Sequence, residues 1–179
     1  MRILVTGPRD WDDESLVAGA LLYRASRTPA SERIVIIHGG ADGFDTVANR
    51  VALHYEWEIE RHSAVWYPDG RLDRLAGFKR NQEMVAAGAD VCVAGVRPCF
   101  REACRKPKPH LTHGTADCIQ RALLAGITVV PVKYEGGSGS REPRGNPAGG
   151  SPADQYGLPG GSPGTLAFAA AGSNSWYGG

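Results

Sequence analysis

Four short segments of the chain carry residue types suited to holding a small anion. In Thr6-Gly7-Pro8-Arg9-Asp10-Trp11, Gly7 lets the backbone turn tightly and approach a ligand, Arg9 can reach an anionic group, and Trp11 can stack on a flat one. His38-Gly39-Gly40-Ala41-Asp42-Gly43-Phe44-Asp45 offers bare backbone N–H groups just ahead of a helix, which suits a phosphate, although its spacing is not that of the dinucleotide fingerprint. Within it, Asp45 is expected to cap the helix, with a ribose hydroxyl as the competing use, and Asp42 is left undecided. His38 is expected to be a hydrogen-bonded strand terminus rather than a proton carrier, because no partner for it is identifiable. In Gly77-Phe78-Lys79-Arg80-Asn81, two bases stand at a helix start. There they oppose the macrodipole unless an anion compensates them, at a cost of a few tenths to about 1 kcal/mol. In Thr112-His113-Gly114-Thr115-Ala116-Asp117, Gly114 opens the backbone while Thr115 can both cap a helix and bond a phosphate oxygen.

A different chemistry is written between the third and fourth segments. Cys99-x4-Cys104-x5-His110-x2-His113 holds two thiols and two imidazoles, the donor set of a tetrahedral zinc site. The close C-x2-C pair of most zinc modules is missing, so no metal is expected and these four stand only as the candidate set. The neighbouring Arg97, Arg101, Arg105, Lys106 and Lys108 are expected to be solvated, with lidding of an anionic ligand as the alternative. No Walker loop, H-E-x-x-H motif or Ser-His-Asp arrangement occurs, which removes P-loop ATPases, zincins and ordinary serine hydrolases.

The elements that must position these residues follow from hydrophobic pattern. Short apolar runs at Arg2–Thr6, Arg33–His38, Asp90–Ala94 and Ile127–Val132 read as buried strands, and a weaker one lies around Ile59–Val65. Helical spacing appears in Leu16, Ala20, Leu21 and Tyr23, in Val47, Val51, Leu53 and Tyr55, from about Ala76 to Ala87, and from about Thr115 to Ala125. Continuous apolar strands alternating with amphipathic helices require a mainly parallel sheet covered on both faces, so the expected fold is a doubly wound, Rossmann-like α/β domain over residues 1–133. In such sheets ligands sit beyond the carboxyl ends of the strands, where all four segments fall. Residues 134–179 are rich in Gly, Pro and Ser and are expected to be a disordered tail. The alternative is a tail whose Leu166, Phe168, Trp176 and Tyr177 dock on a partner.

Bulk composition narrows the partner. The 20 basic residues nearly balance 19 acidic ones for a formal charge of +1, which lacks the basic footprint of a nucleic-acid binder. Four cysteines in a chain of 179 residues are too sparse for a disulfide scaffold, and with no apolar leader at the start a reducing cytoplasm is expected. No apolar run approaches the roughly 18 residues of a membrane helix, so no membrane partner is expected.

Taken in order, Ile3-Leu-Val-Thr-Gly7-x-Arg9-Asp10-Trp11, His38-Gly-x-Ala-x-Gly43-x-Asp45, Ala76-Gly-x-x-Arg80-Asn81-x-x-Met84-Val85 and Gly114-Thr115-Ala116-Asp117 resemble the YspA/YpsA-like branch of the SLOG superfamily. The resemblance covers residues 1 to about 133 and implies a Rossmann-like domain for nucleotides or nucleotide-derived ligands, assembled as a homo-oligomer such as a dimer. It also reaches the LOG phosphoribohydrolases, in which an Arg-Lys-x-x-Met helix start and a Pro-Gly-Gly-x-Gly-Thr-x-x-Glu loop carry the chemistry. Arg80 and Met84 match the first, and Gly114 and Thr115 match the end of the second. The Pro-Gly-Gly half is absent, and Cys118 stands where the catalytic Glu is found, with Asp117 one residue early. One residue on a helix is about 100° of rotation, enough to take a carboxylate away from the atom it should serve.

The expected function is therefore binding or sensing of a phosphate-bearing, nucleotide-type small molecule, with no further cofactor. The expected contacts are Gly7, Arg9, Trp11, Gly39, Gly40, Gly43, Asp45, Lys79, Arg80, Asn81, Gly114 and Thr115. The enzyme alternative is an N-glycosidic hydrolase of a nucleoside monophosphate using Asp117 or Asp45 with Arg80 as the clamp. A third reading is an interaction protein acting through the tail.

Overall fold

Five parallel strands form the sheet of the computed structural model: β1 (Arg2–Thr6), β2 (Val35–His38), β3 (Glu58–Arg61), β4 (Val91–Val96) and β5 (Thr128–Lys133). Four helices connect them: α1 (Glu14–Ala25), α2 (Phe44–His54), α3 (Ala76–Ala86) and α4 (His113–Leu124). The structure describes residues 1–134, so the tail expectation falls on residues outside the described ones, apart from Tyr134.

The sheet order is β3-β2-β1-β4-β5. The chain starts in the middle, works outward through β2 to β3, then crosses back to the other side of β1. That reversal places the topological switch point between β1 and β4, where Thr6 pairs with Ala94. Burial follows the same logic. Ile3, Leu4, Val5, Ile36, Ile37, Cys92, Val93 and Ala94 on the inner strands are fully buried, because a parallel strand carries helices on both faces. The edge strand β3 reads Glu-Ile-Glu-Arg and is half-exposed, which is why its apolar signal is weak; it also ends at Arg61, well short of the expected Val65.

Each helix buries one stripe. Asp13 caps α1 by accepting from the Leu16 amide at 3.1 Å, and the helix then buries Val17, Ala18 and Leu21. It packs beside α2, whereas α3 packs beside α4 against Leu4, Ile37, Cys92 and Ala94, bringing Met84, Cys118 and Ala122 into that cluster. Phe44, the first residue of α2, is fully buried over the switch point, and a Cβ on Gly7 or Gly95 would strike its ring. Gly7, just after β1, and Gly95, the penultimate residue of β4, thus make room for the side chain that docks α2. No helix among the described residues is long and apolar enough to cross a membrane.

Candidate functional site

The carboxyl ends of β1 and β2, the start of α3 and the start of α4 meet at one edge of the sheet. Arg80 and Asn81 tie them together. The Arg80 guanidinium donates from Nη1 to the Gly39 carbonyl at 2.8 Å and from Nε to the Asn81 Oδ1 at 3.1 Å. Asn81, only 1% exposed, donates onward to the Gly114 carbonyl at 3.0 Å and to Asp117 Oδ2 at 2.9 Å. Asp117 also accepts from Arg121 Nε at 2.9 Å, one turn further along α4. A single buried amide therefore fixes the distance between the β2–α2 loop and the first turn of α4, and every polar atom of its side chain is used.

The β2–α2 loop is closed upon itself. Asp45 is not the cap of α2, a position occupied by Gly43 with φ 70°. Its carboxylate instead turns back to accept the amides of Gly39 at 3.0 Å and Ala41 at 3.2 Å. Burial pushes the Asp45 carboxyl up to about 6, against the pull of those two amides and of the Arg80 and Arg9 charges. The intervening Gly40 amide donates to His38 Nδ1 at 3.0 Å, so His38 carries its proton on Nε2, which donates to Asn49 Oδ1 at 3.1 Å. Desolvation holds His38 below the ordinary imidazole range, which keeps it a neutral strut, as expected for a strand-end histidine. Of the loop amides expected to cradle a phosphate, those of Gly39 and Gly40 are thus spent within the protein. The space over the glycines is spent as well. A Cβ on Gly39 would meet the Arg80 guanidinium, one on Gly40 the Arg61 guanidinium, and one on Gly43 the Pro8 and Arg9 carbonyls.

Two other expected contacts are drawn away. Trp11 is 4% exposed, packs edge-on against Phe44 and Tyr134, and donates its indole N–H to the Asp13 carbonyl at 2.6 Å, so it is a core residue with no free face for a base. Lys79 pairs with Asp73 at 2.7 Å, and Asp73 also accepts the Leu75 amide at 2.8 Å. The apparent misfit of a base at a helix start is answered by an acid three residues ahead of that helix.

What remains open is the first turn of α4. The helix begins at His113, two residues before the expected Thr115, and Thr112 is its cap residue without a side-chain capping bond. Thr112 Oγ1 lies 2.9 Å from Thr115 Oγ1, and Ala116 is the first residue whose amide returns to Thr112. Among the described residues no acceptor takes the amides of Gly114 and Thr115, and nothing lies within 4 Å of where a Gly114 Cβ would stand. Cys118, at the position of the LOG glutamate, is fully buried with its thiol pushed up to about 11 by desolvation, so that position faces the core.

Positive charge gathers around this edge: Arg80 and Arg9 act on Asp45, and Arg61 and Arg80 on His38. Arg9 also lies over the Trp66 ring at 5.7 Å, and Trp66 reaches toward Gly77 at the start of α3. Neither Arg61 nor Trp66 was an expected site residue. Arg61 ends a strand too polar to mark its own end, and Trp66 arrives through a loop whose path local pattern does not set.

The four residues of the Cys/His set are brought together, Cys99, Cys104 and His110 from the β4–α4 insert and His113 from the start of α4. A concavity of about 430 Å³, lined among others by Pro29, Glu32 and Trp57, lies near the opposite ends of the strands and gathers none of the expected site residues.

Comparison with known proteins agrees with the motif order. The Gene 61 protein of Mycobacterium phage D29 is 40% identical over 125 residues, spanning 63% of this chain and 96% of that protein. DNA processing protein A of Streptococcus pneumoniae shares the fold with a TM-score of 0.51 at 17% identity, over 73% of this chain; the match spans about half, 49%, of that protein's length. The profile of the YspA, cpYpsA-related SLOG family matches residues 1–67, which hold the first two glycine segments and the strands that present them. With those strands in Rossmann order and the Arg80–Asn81 pair joining both helix starts, this chain belongs to the YspA, cpYpsA-related SLOG family.

Proposed function

We propose that the domain binds a nucleotide or nucleotide-derived small molecule, with a phosphate group on the first turn of α4 and the Arg80 guanidinium beside it. The observation that carries this reading is the open first turn. The Gly114 and Thr115 amides have no partner among the described residues, and Gly114 faces empty space one side chain away from Arg80. A helix start of this kind carries about half a positive charge, and an arginine alongside supplies N–H donors in a planar fork. Arg80 uses Nε and one Nη1 hydrogen within the protein, which leaves its remaining N–H groups for an anion. Arg9, Arg61 and Trp66 border the same edge and suit the ribose and base side.

Binding fits the site better than hydrolysis does. Asp117 is held by Asn81 and Arg121, and Asp45 is turned into the loop it organises. Neither carboxylate is aimed at the space over Gly114 as a water-activating base would be.

Isothermal titration of the full chain with AMP, ADP-ribose and inorganic phosphate tests the reading. Saturable, salt-weakened binding is expected for at least one nucleotide, and Arg80→Gln should weaken it roughly 10- to 100-fold, the range of one lost charged hydrogen bond. No heat from any nucleotide at high protein concentration would sink the proposal. Release of free base during prolonged incubation would replace it with the hydrolase reading.

A further inference from the structure

We infer that Cys99, Cys104, His110 and His113 form a structural zinc site that clamps the β4–α4 insert onto the first turn of α4. One ligand atom from each of the four lies within 4.8 Å of all the others. Cys104 Sγ is 3.4 Å from His110 Nε2 and 3.3 Å from His113 Nε2, and the two Nε2 atoms are 3.1 Å apart. Donor atoms around tetrahedral zinc, held at about 2.0–2.3 Å from the ion, stand about 3.3–3.8 Å from one another, close to these separations. A hydrogen-bonded pair of imidazoles would account for one of these contacts. It would not gather two thiols on the same point.

The surroundings orient the donors for a metal. His110 Nδ1 lies 2.8 Å from the Pro107 carbonyl, so its proton sits on Nδ1 and the Nε2 lone pair faces the cluster, the outer-shell arrangement typical of zinc-bound imidazole. The Cys99 amide donates to the His110 carbonyl at 2.7 Å and Pro98 bridges Leu111, so the two ends of the insert are zipped together. This zipper does what a C-x2-C pair does elsewhere: it brings distant donors side by side without the usual local spacing.

The insert has reason to need a clamp. Residues 97–112 contain no helix or strand of their own, and Phe100 is exposed at 64%, so little apolar burial holds them. His113 belongs to α4 itself, and one ion would therefore fasten the insert to the helix whose next two residues are Gly114 and Thr115. Two thiolates cancel the charge of Zn²⁺ and two neutral imidazoles complete the shell. Binding releases the two thiol protons to solvent, and no position is left open for a reacting water.

The test uses the untagged full chain, purified without chelator from zinc-supplemented cells and analysed by native mass spectrometry and elemental analysis. One zinc per chain is expected, falling at least tenfold in Cys104→Ser while the far-ultraviolet circular dichroism keeps the α/β signature. Should that variant fail to fold, Co²⁺ exchange into the wild type provides the second readout. Intense visible bands of tetrahedral cobalt with thiolate charge transfer support the site, and a weak six-coordinate spectrum overturns it. A folded, metal-free chain that takes up no zinc from equimolar solution overturns it too, as does a Cys99–Cys104 disulfide located by peptide mapping of the unreduced chain. None of these readouts involves a nucleotide, so this inference can fail while the ligand reading stands.

Discussion

The β2–α2 loop and the first turn of α4 each place glycine at a helix start beyond a strand, and they differ in what fills the space over it. At Gly39, Gly40 and Gly43 the missing side chain is replaced by protein: Arg80, Arg61 and the Pro8–Arg9 backbone. At Gly114 it is replaced by nothing within 4 Å among the described residues. A glycine-rich loop is therefore two different devices. One lets the chain pack on itself so that catalytic-looking residues such as Asp45 and His38 become struts, and the other leaves amides without an acceptor among the described residues. The first device builds the site, and the second is where we propose that a ligand enters.

The sharpest way to break this contrast is Gly43→Ala. Gly43 holds φ 70°, and an added Cβ would stand 2.6 Å from the Pro8 carbonyl oxygen, a backbone atom that no rotamer change can move aside. Left-handed strain of about 1–3 kcal/mol and overpacking of about 1–3 kcal/mol act together, so a loss of about 2–6 kcal/mol is expected. Urea unfolding should show a lower midpoint at an unchanged slope. A midpoint equal to the wild type would mean that the two loops are not pressed together at Gly43.

A second test asks whether the closed loop is held by Asp45. Burial raises this carboxyl from its ordinary 3.8 to about 6. Between those values the folded chain keeps a proton that the unfolded chain has lost, so this group favours folding as pH falls from about 6 toward 4. That advantage disappears as pH rises through about 6, and its full size is about 3 kcal/mol. Asp45→Asn cannot titrate. Its stability relative to the wild type should therefore fall as the buffer is taken from pH 7.5 to pH 4.5, when both are unfolded in urea. Parallel stability profiles for the two proteins would show that Asp45 is not held in a raised state.

The same contrast explains which parts of the molecule were legible in the sequence. The inner strands announce themselves because parallel strands buried on both faces must be apolar throughout, and Ile3-Leu4-Val5 and Val91-Cys92-Val93 obey. The resemblance pointed to Arg80, while the Lys79–Arg80 misfit with the helix dipole was half misleading, because Asp73 answers Lys79 and a carbonyl answers Arg80. Glycine spacing alone could not say whether a ligand or Arg80 sits over Gly39, since both need the same absence of a Cβ. Trp11 is able to stack on a flat ligand by residue type alone, yet long-range packing against Phe44 and Tyr134 decides its place. The Cys/His set was discounted on local spacing, and the Pro98–Leu111 bridge that brings it together depends on residues thirteen apart.

The smallest effect comes from the open side of the comparison, and its sign is opposite. Gly114 lies within α4 and an added methyl meets nothing, so Gly114→Ala replaces a poor helix former by the best one, with an expected gain of about 0.5–1 kcal/mol, less at a first turn. Binding should move the other way. A methyl standing over the Gly114 and Thr115 amides crowds an oxygen anion seated there, and a penalty of about 0.7–1.4 kcal/mol corresponds to roughly 3- to 10-fold weaker nucleotide affinity. A variant that is as stable as the wild type or more so, yet binds less tightly, isolates the first turn of α4 as a contact rather than a support. If instead stability falls while affinity holds, the space over Gly114 is needed by the fold, and the two glycine loops would not differ after all.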